Sequence, residues 1–154
     1  MKYLIYQCGE KLFALDSSEV VEVILSTQVK LHYGLEQNNI IGSFLYRSRN
    51  IYLYNYLFDL PFVENFILIV KRNGIECAFY VSNLVQLIDL NEEEIEKVVY
   101  KNQESSRSIL GIFSYGNQEI EILDVFEVLQ LRNVPSVVNK NNQEVSSQVS
   151  YRRL

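Results

Sequence analysis

The sequence contains no tryptophan, one histidine, one methionine, two prolines and two cysteines in 154 residues. With His32 as the only histidine, general base chemistry of the Ser-His or Cys-His kind has neither a flanking acid nor a nucleophile. Cys8 and Cys77 stand alone without a CxxC pair, so we predict neither a disulfide framework nor a zinc site. No Gly-rich phosphate-binding motif occurs. These absences predict no enzymatic activity, no metal and no cofactor, and two buried, unreactive thiols.

Long hydrophobic runs are also missing. No apolar stretch approaches the ~18 residues that cross a bilayer, and the apolar start of the chain turns polar at Gln7, too early for a signal peptide. We therefore predict no membrane insertion and a cytoplasmic location. The formal net charge of −5 repels a phosphate backbone, and the 14 Lys and Arg are scattered along the chain. This charge balance argues against nucleic acid as a partner. A small-barrel nucleic-acid-binding protein remains the alternative from a different functional class.

The residues that are present form short apolar stretches rich in Val, Ile, Tyr, Phe and Leu, broken by Gly, Asn or charged pairs, which is typical of strands. Asn73-Gly74 and Gly116-Asn117 predict tight hairpin turns. Asn55 and Asp124 predict the starts of two short helical turns, and a third helix is predicted at 91–97, where acidic residues follow an Asn cap. Ten strands are predicted, at 2–7, 11–15, 20–25, 40–46, 50–55, 66–71, 76–81, 84–89, 109–115 and 119–124.

The sequence contains an internal repeat. Segment 11–24 matches 75–88 at a spacing of 64 residues, and segment 40–51 matches 109–120 at a spacing of 69. Two collinear matches with similar spacing predict a duplicated five-stranded unit, and small antiparallel sheets close into barrels to remove exposed edges. We therefore predict an all-β fold of two packed five-stranded β-barrels. The identical pairs are Ala14/Ala78, Ser18/Ser82, Val21/Val85, Ile24/Ile88, Ile40/Ile109, Gly42/Gly111, Phe44/Phe113, Tyr46/Tyr115 and Ile51/Ile120.

The predicted domain spans residues 1–132 and comprises two duplicated barrel subdomains, roughly the two halves. Residues 133–154 are rich in Asn, Gln and Ser, and they offer too little apolar surface to offset the entropy of ordering. We predict a disordered tail. The alternative is that Val137, Val138 and the basic end dock on another surface.

Four segments carry a resemblance to a known family. Segment 13–24 contains a Val-x-Glu pattern at Val20 and Glu22, and a second segment runs from Gly42 through Arg47 into an alternating strand. Segments 111–113 and 122–125 are similar to closing strands. Together they resemble the CheW-like family over residues 2–132. Leu45, Ser48 and Asn55 depart from the Asn, Gly and Asp of the family pattern.

The resemblance implies two Src-homology-type β-barrels with a shared core, acting as an adaptor without catalysis. Family members couple chemoreceptors (methyl-accepting chemotaxis proteins) to the CheA histidine kinase in signal transduction. The receptor's cytoplasmic tip is expected in a groove between the barrels, and the kinase's regulatory domain on a barrel surface. The alternative is a divergent CheW-like module of a pilus, gliding or other non-flagellar chemosensory system.

Five partner-binding residues follow from the resemblance. Arg47 matches a groove arginine whose planar fork suits carboxylates, the alternative being a solvated turn arginine. Val20 and its duplicate Leu84 face the groove or are plain core residues. Phe66 is expected near the groove as well, and Glu22 meets a partner cation or only solvent.

Alternation places Tyr52, Tyr54 and Tyr56 on one face of a strand. This face is either an exposed aromatic interface, which we favour, or part of the core.

Overall fold

The computed structural model describes residues 1–33, 40–54, 66–97 and 108–129. All ten predicted strands are present, each within one residue of its predicted bounds. Three single turns of 3-10 helix lie between strands, at Ser17–Glu19, Ser26–Gln28 and Glu92–Glu94. The strands are β1 Lys2–Cys8, β2 Lys11–Asp16, β3 Val20–Leu25, β4 Ile40–Tyr46, β5 Arg49–Tyr54, β6 Phe66–Arg72, β7 Ile75–Val81, β8 Asn83–Asp89, β9 Ile109–Tyr115 and β10 Gln118–Leu123.

The helix predictions fare unevenly. The turn after Asp124 is confirmed as α1, Val125–Val128, and the Asp124 carboxylate accepts a hydrogen bond from the backbone N–H of Glu127 at 3.2 Å. A helix across 91–97 is wrong beyond Glu92–Glu94, because the backbone of Glu96 instead pairs with Ile112 of β9. The turn predicted after Asn55 and the tail predicted at 133–154 lie outside the described residues.

The strands form two five-stranded sheets, which confirms the predicted fold class. Sheet I has the order β8-β1-β2-β10-β9, and sheet II has the order β3-β6-β7-β5-β4. Each sheet contains one parallel pair, β2 with β10 and β5 with β7, among otherwise antiparallel neighbours. In the described part of the chain no backbone ladder joins the outer strands of either sheet, so the sheets are open rather than closed barrels.

The two sheets interleave the two repeats. Sheet II combines β3, β4 and β5 of the first repeat with β6 and β7 of the second, while sheet I combines β1 and β2 with β8, β9 and β10. Equivalent registers recur: Ala14 lies opposite Ile122 in sheet I, and Ala78 lies opposite Leu53 in sheet II. The chain thus crosses between sheets after the second strand of each repeat, and neither sheet comprises one half of the sequence.

This exchange gives each sheet its own core and produces a third core between them. In β6, Ile67 and Ile69 point into the core of sheet II, while Leu68 and Val70 point into the core shared by both sheets. Burial on both faces explains the unbroken apolar run of this strand. Each fully buried side chain of this size contributes about 1.5–3 kcal/mol. The shared core contains Tyr6, Cys8, Phe13, Leu15, Tyr54, Leu68, Val70, Cys77, Phe79, Val81, Leu123, Val125, Phe126 and Leu129.

Two repeated glycines allow a sixth segment to approach each sheet. His32 pairs with Ser43 beside Gly42, and Glu96 pairs with Ile112 beside Gly111. A Cβ on Gly42 would lie 2.7 Å from the His32 carbonyl oxygen, whereas one on Gly111 would lie 2.5 Å from the Cγ2 atom of the Ile95 side chain.

These contacts predict that alanine at Gly42 and alanine at Gly111 lower the free energy of unfolding by different amounts. Gly42→Ala must displace the His32 backbone, so we expect it to lower the free energy of unfolding by about 2–3 kcal/mol, while Gly111→Ala must displace mainly the Ile95 methyl, with the Glu96 carbonyl oxygen 3.3 Å away, and should cost about 1 kcal/mol less. Urea unfolding of both variants checks this. An equal or reversed order would contradict the assigned backbone approach at Gly42.

Candidate partner-binding site

Three of the predicted binding residues lie around the shared core. Val20, Phe66 and Leu84 are all partly buried and pack against it from the outside. Val20 pairs with Val70 across β3 and β6, and Leu84 occupies the equivalent place opposite Tyr6 in sheet I. We define the rim as the partly buried apolar side chains that pack on the shared core: Leu4, Val20, Val23, Ile40, Tyr52, Phe66, Leu84, Ile109 and Val128.

The rim differs between the two sheets. Phe66 of β6 lies opposite Leu25 of β3, whose side chain is about half exposed. The equivalent pair in sheet I is Lys2 with Asp89, both exposed. An apolar pair in sheet II thus replaces a charged pair in sheet I, so the sheet II end of the rim is the more suitable surface for apolar side chains of a partner.

Glu22 is directed away from Val20 by a β-bulge. Val20 lies opposite Val70, but Glu22 lies opposite the next partner residue, Ile69, leaving Val21 as the extra residue. A bulge changes which face the following side chains occupy. Val20 therefore points to the shared core, while Glu22 lies on the face of sheet II that carries Ile69. A bulge in the same place, at Val85 in β8, repeats this arrangement in sheet I.

The Glu22 carboxylate joins the two outer strands of sheet II. It accepts hydrogen bonds from the Tyr46 hydroxyl and from Nη2 of Arg47, the latter at 3.2 Å. The Arg47 guanidinium also lies over the Tyr46 ring, 5.1 Å from its centroid. The hydrogen bond to Glu22, more than burial, raises the pKa of Tyr46. Arg47 is 70% exposed, so the group can meet a partner without first being uncovered.

A second arginine extends this cluster. Arg49 forms a bidentate ion pair with Glu76, with Nε to Oε1 at 2.7 Å and Nη2 to Oε2 at 2.8 Å. Its guanidinium lies 5.5 Å from the centroid of the Tyr46 ring. We call Glu22, Tyr46, Arg47, Arg49 and Glu76 the sheet II cluster. It presents two cations and two acids around one aromatic ring.

Sheet I contains an uncharged counterpart. Tyr115, the duplicate of Tyr46, donates its hydroxyl to Oε1 of Gln86, the duplicate of Glu22. Gly116 and Gln118 occupy the places of Arg47 and Arg49. The tyrosine tie between outer strands is therefore a property of the repeat, whereas the charges are found only in sheet II. The recurrence of Tyr46 and Tyr115 at a spacing of 69 residues was the sequence signal for this tie.

The turn that carries Arg47 is strained. Arg47 has a backbone φ of 48° and Ser48 has one of 67°, both in the left-handed region that residues other than Asn and Gly rarely adopt. Two-residue hairpins with positive φ at both positions match the twist of their strands. Ser48 occupies the place where the family pattern has Gly.

We expect Ser48→Gly to raise the free energy of unfolding by about 0.5–1 kcal/mol, because glycine adopts positive φ without steric cost. A melting temperature about 1–4 °C higher is the measurable result for a chain of this size. Ser114→Gly, at an exposed position within β9, serves as the matched control and should lower stability instead. The same sign for both variants would contradict the assigned strain.

A second charged group was missed by the sequence interpretation, which used Asp124 only as the start of a helical turn. Arg72 at the end of β6 forms ion pairs with Glu19 and with Asp124, the latter at 2.9 Å, and lies over the ring of Phe126. The hydrogen bond to Glu19 is the main cause of a raised pKa for Arg72. None of the three charged residues has a charged duplicate, so the repeat gave no signal for them.

The tyrosine-face interpretation is wrong where the structure tests it. Tyr54 is buried in the shared core, and Tyr52 packs against it as part of the rim. This face therefore packs toward the shared core, and only the partly buried Tyr52 contributes to the rim. Tyr56 lies outside the described residues.

Both cysteines are buried and free, as predicted. Burial raises the pKa of Cys8 to about 12 and also raises that of Cys77, which disfavours the reactive thiolate. In residues 1–33, 40–54, 66–97 and 108–129, His, Cys, Asp and Glu form no group of three that could hold a metal ion. Across these same segments, no helix is both long and apolar enough to span a bilayer.

Comparison with known proteins identifies the class. The family model described as CheW-like domain matches residues 2–133, and the chain belongs to this family. Membership supports a role as a chemotaxis scaffold or adaptor. A search of curated proteins gives no match.

Among solved structures, the scaffolding protein TtCheW from Thermoanaerobacter tengcongensis is similar in fold. The TM-score is 0.70 at 21% sequence identity, over 82% of this chain and 90% of that one.

Proposed function

We propose that this protein is a cytoplasmic chemotaxis adaptor that couples a chemoreceptor to the CheA histidine kinase. The observation that carries the proposal is the position of Val20, Phe66 and Leu84 on the rim of a core that belongs to both sheets. An amphipathic helix binds by placing apolar side chains from successive turns into such a surface. The cytoplasmic tip of a receptor is the helical partner that we assign to the rim.

The sheet II cluster supplies the polar part of the interaction, because β3 is an edge strand and its two faces, with Val20 on one and Glu22 on the other, meet at the same edge of sheet II. Within the described residues, Arg47 makes one hydrogen bond, to Glu22, and a guanidinium has five N–H donors. Its remaining donors suit carboxylates and backbone carbonyls of a receptor helix. Glu22 orients Arg47 in this scheme, and its carboxylate is neutralised by that same arginine. The CheA regulatory domain binds a separate surface of one of the two sheets.

Binding of the purified chain to a receptor cytoplasmic fragment and to the CheA regulatory domain tests the proposal. Calorimetric titration with each partner, followed by co-sedimentation of all three, should give saturable binding to both and a ternary complex. Absence of binding to both partners at physiological salt would remove the adaptor function.

One observation favours the divergent alternative, a module of a pilus, gliding or other non-flagellar system. Leu45 is 67% exposed at a place where the family pattern has Asn. An exposed apolar side chain beside Arg47 would change partner preference. Titration with receptor fragments from both kinds of system distinguishes the two, and preference for the non-flagellar fragment that disappears in Leu45→Asn would select the alternative.

A further inference from the structure

Arg72 occupies a junction between the two sheets. It is the last residue of β6 in sheet II, and its Nε and Nη1 atoms reach Glu19 and Asp124 respectively. The side chains of Glu19 and Asp124 are 16% and 20% exposed, and that of Arg72 is 32% exposed. Ion pairs partly withdrawn from water are screened less by salt than exposed ones.

Each acid belongs to an element that connects to the binding rim or to the shared core. Glu19 ends the 3-10 turn by which the chain crosses from β2 to β3, and Val20 follows it directly. The Val20 amide donates to the carbonyl of Ser17 in this turn. Asp124 follows β10 of sheet I and caps α1, whose Phe126 lies in the shared core with its ring centroid 4.6 Å from the Arg72 guanidinium.

The fold does not itself require a charged group here. At the equivalent junction of the other repeat, Cys8 and Asn83 stand where Arg72 and Glu19 stand. That junction is closed by neutral hydrogen bonds, since the backbone N–H and the hydroxyl of Ser82 both donate to the carbonyl of Gln7 at 2.9 Å. The ion pairs therefore distinguish the junction that carries Val20 from the one that carries Leu84.

We propose that Arg72 is a positioning residue for the partner-binding rim. By joining Glu19 to Asp124, it fixes the crossover turn and hence the placement of Val20 relative to the shared core, and so it sets the affinity for a helical partner on the sheet II side. The affinity part of this inference rests on the proposed receptor binding. The placement of Val20 does not.

Backbone amide hydrogen exchange on the full chain tests the placement. In Arg72→Gln, the Val20 amide should exchange about tenfold faster, a change of about 1.4 kcal/mol in local opening, while the amides of β8 keep their rates. Arg72→Lys keeps the charge without the fork and should give an intermediate rate. Faster exchange throughout both β3 and β8 would overturn the proposal, because it indicates general destabilisation. No change at Val20 would also overturn it, because Arg72 would then not fix the position of Val20.

Receptor affinity provides the second arm. We expect Arg72→Gln to weaken binding of a receptor fragment about tenfold and to leave binding of the CheA regulatory domain unchanged. Lys11→Gln is the matched control, since Lys11 also pairs with an acid, Glu121, and lies over a shared-core ring, Phe13, but both contacts stay within sheet I. It should alter neither affinity. Equal receptor affinity of wild type and Arg72→Gln would overturn the role of Arg72 in binding. If wild type itself binds no receptor, the proposed function is removed, and the hydrogen-exchange result alone decides whether Arg72 fixes the position of Val20.

Discussion

Phe79→Ala is expected to lower the free energy of unfolding by about 3–5 kcal/mol, the largest stability effect that we predict. The Phe79 side chain is fully buried in the shared core, and its ring centroid lies 5.8 Å from that of Tyr6 in the opposite sheet. Loss of the ring removes contacts of both sheets at once. Urea unfolding followed by tyrosine fluorescence and by circular dichroism should show one transition at a lower midpoint.

Leu45→Ala is the control for Phe79, because this exposed side chain should change stability by less than about 0.5 kcal/mol. Two separate transitions in Phe79→Ala would show that the sheets unfold independently. That result would contradict a core held in common by the interleaved repeats.

Arg47→Glu is expected to weaken receptor binding by at least about tenfold and to change binding of the CheA regulatory domain by less than about twofold. The change removes the guanidinium from the Tyr46 ring and places a second carboxylate beside Glu22. Because the original ion pair is largely exposed, fold stability should fall by no more than about 1 kcal/mol. Calorimetric titration with each partner measures the difference.

Arg47→Lys separates charge from geometry in the same experiment. It retains the cation but lacks the planar fork, so its receptor affinity should lie between those of wild type and Arg47→Glu. Equal weakening toward receptor and kinase by Arg47→Glu would discredit the assignment of Arg47 to the receptor surface.

Local sequence patterns predicted the strands and turns well because the determinants are local. Asn73-Gly74 forms the expected turn with φ of 52° and 81°, and Gly116 has φ of 62°. Periods of two in β5 and β10 indicated strands before any partner was known. The helix at 91–97 was predicted too long. Its acidic first turn is a local signal and contains no information about the backbone pairing of Glu96 with Ile112 of β9.

The exchange of strands between sheets could not be predicted from the repeat. Matching Ala14 with Ala78 shows that β2 and β7 are equivalent, but equivalence leaves open which copy of β10 or β5 each one joins. The answer depends on the crossovers at Ser17–Glu19 and Ser82, where the chain passes to the other sheet. Such non-local pairing leaves no periodic signal in the sequence.

Part of the candidate site was predictable and part was not. Val20, Phe66 and Leu84 were assigned together by family resemblance, and the structure places all three on the rim. The side of the sheet on which Glu22 lies could not be predicted. Simple alternation puts Glu22 on the same face as Val20, but the bulge at Val21 places the two side chains on opposite faces. Arg72 was missed because its two acids are distant in sequence and none of the three is repeated.

The differences between the duplicates indicate where sheet II has specialised. Each repeat ties its outer strands by a tyrosine, but Glu22, Arg47 and Arg49 replace Gln86, Gly116 and Gln118. Both copies keep the tyrosine tie between outer strands, and only the copy in sheet II carries charge there. The same sheet carries the apolar Phe66–Leu25 pair and, at its junction with sheet I, Arg72. We interpret this concentration as specialisation of sheet II for the proposed receptor contact.

Methyl-resolved NMR titration of the full chain with a receptor cytoplasmic fragment is the most direct measurement of where that partner sits. The methyl signals of Val20 and Leu84 should shift or broaden as receptor is added, while those of Leu110, exposed on the bulge of β9, should stay in place. Shifts centred on Leu110, with Val20 and Leu84 unmoved, would contradict a binding surface on the rim of the shared core.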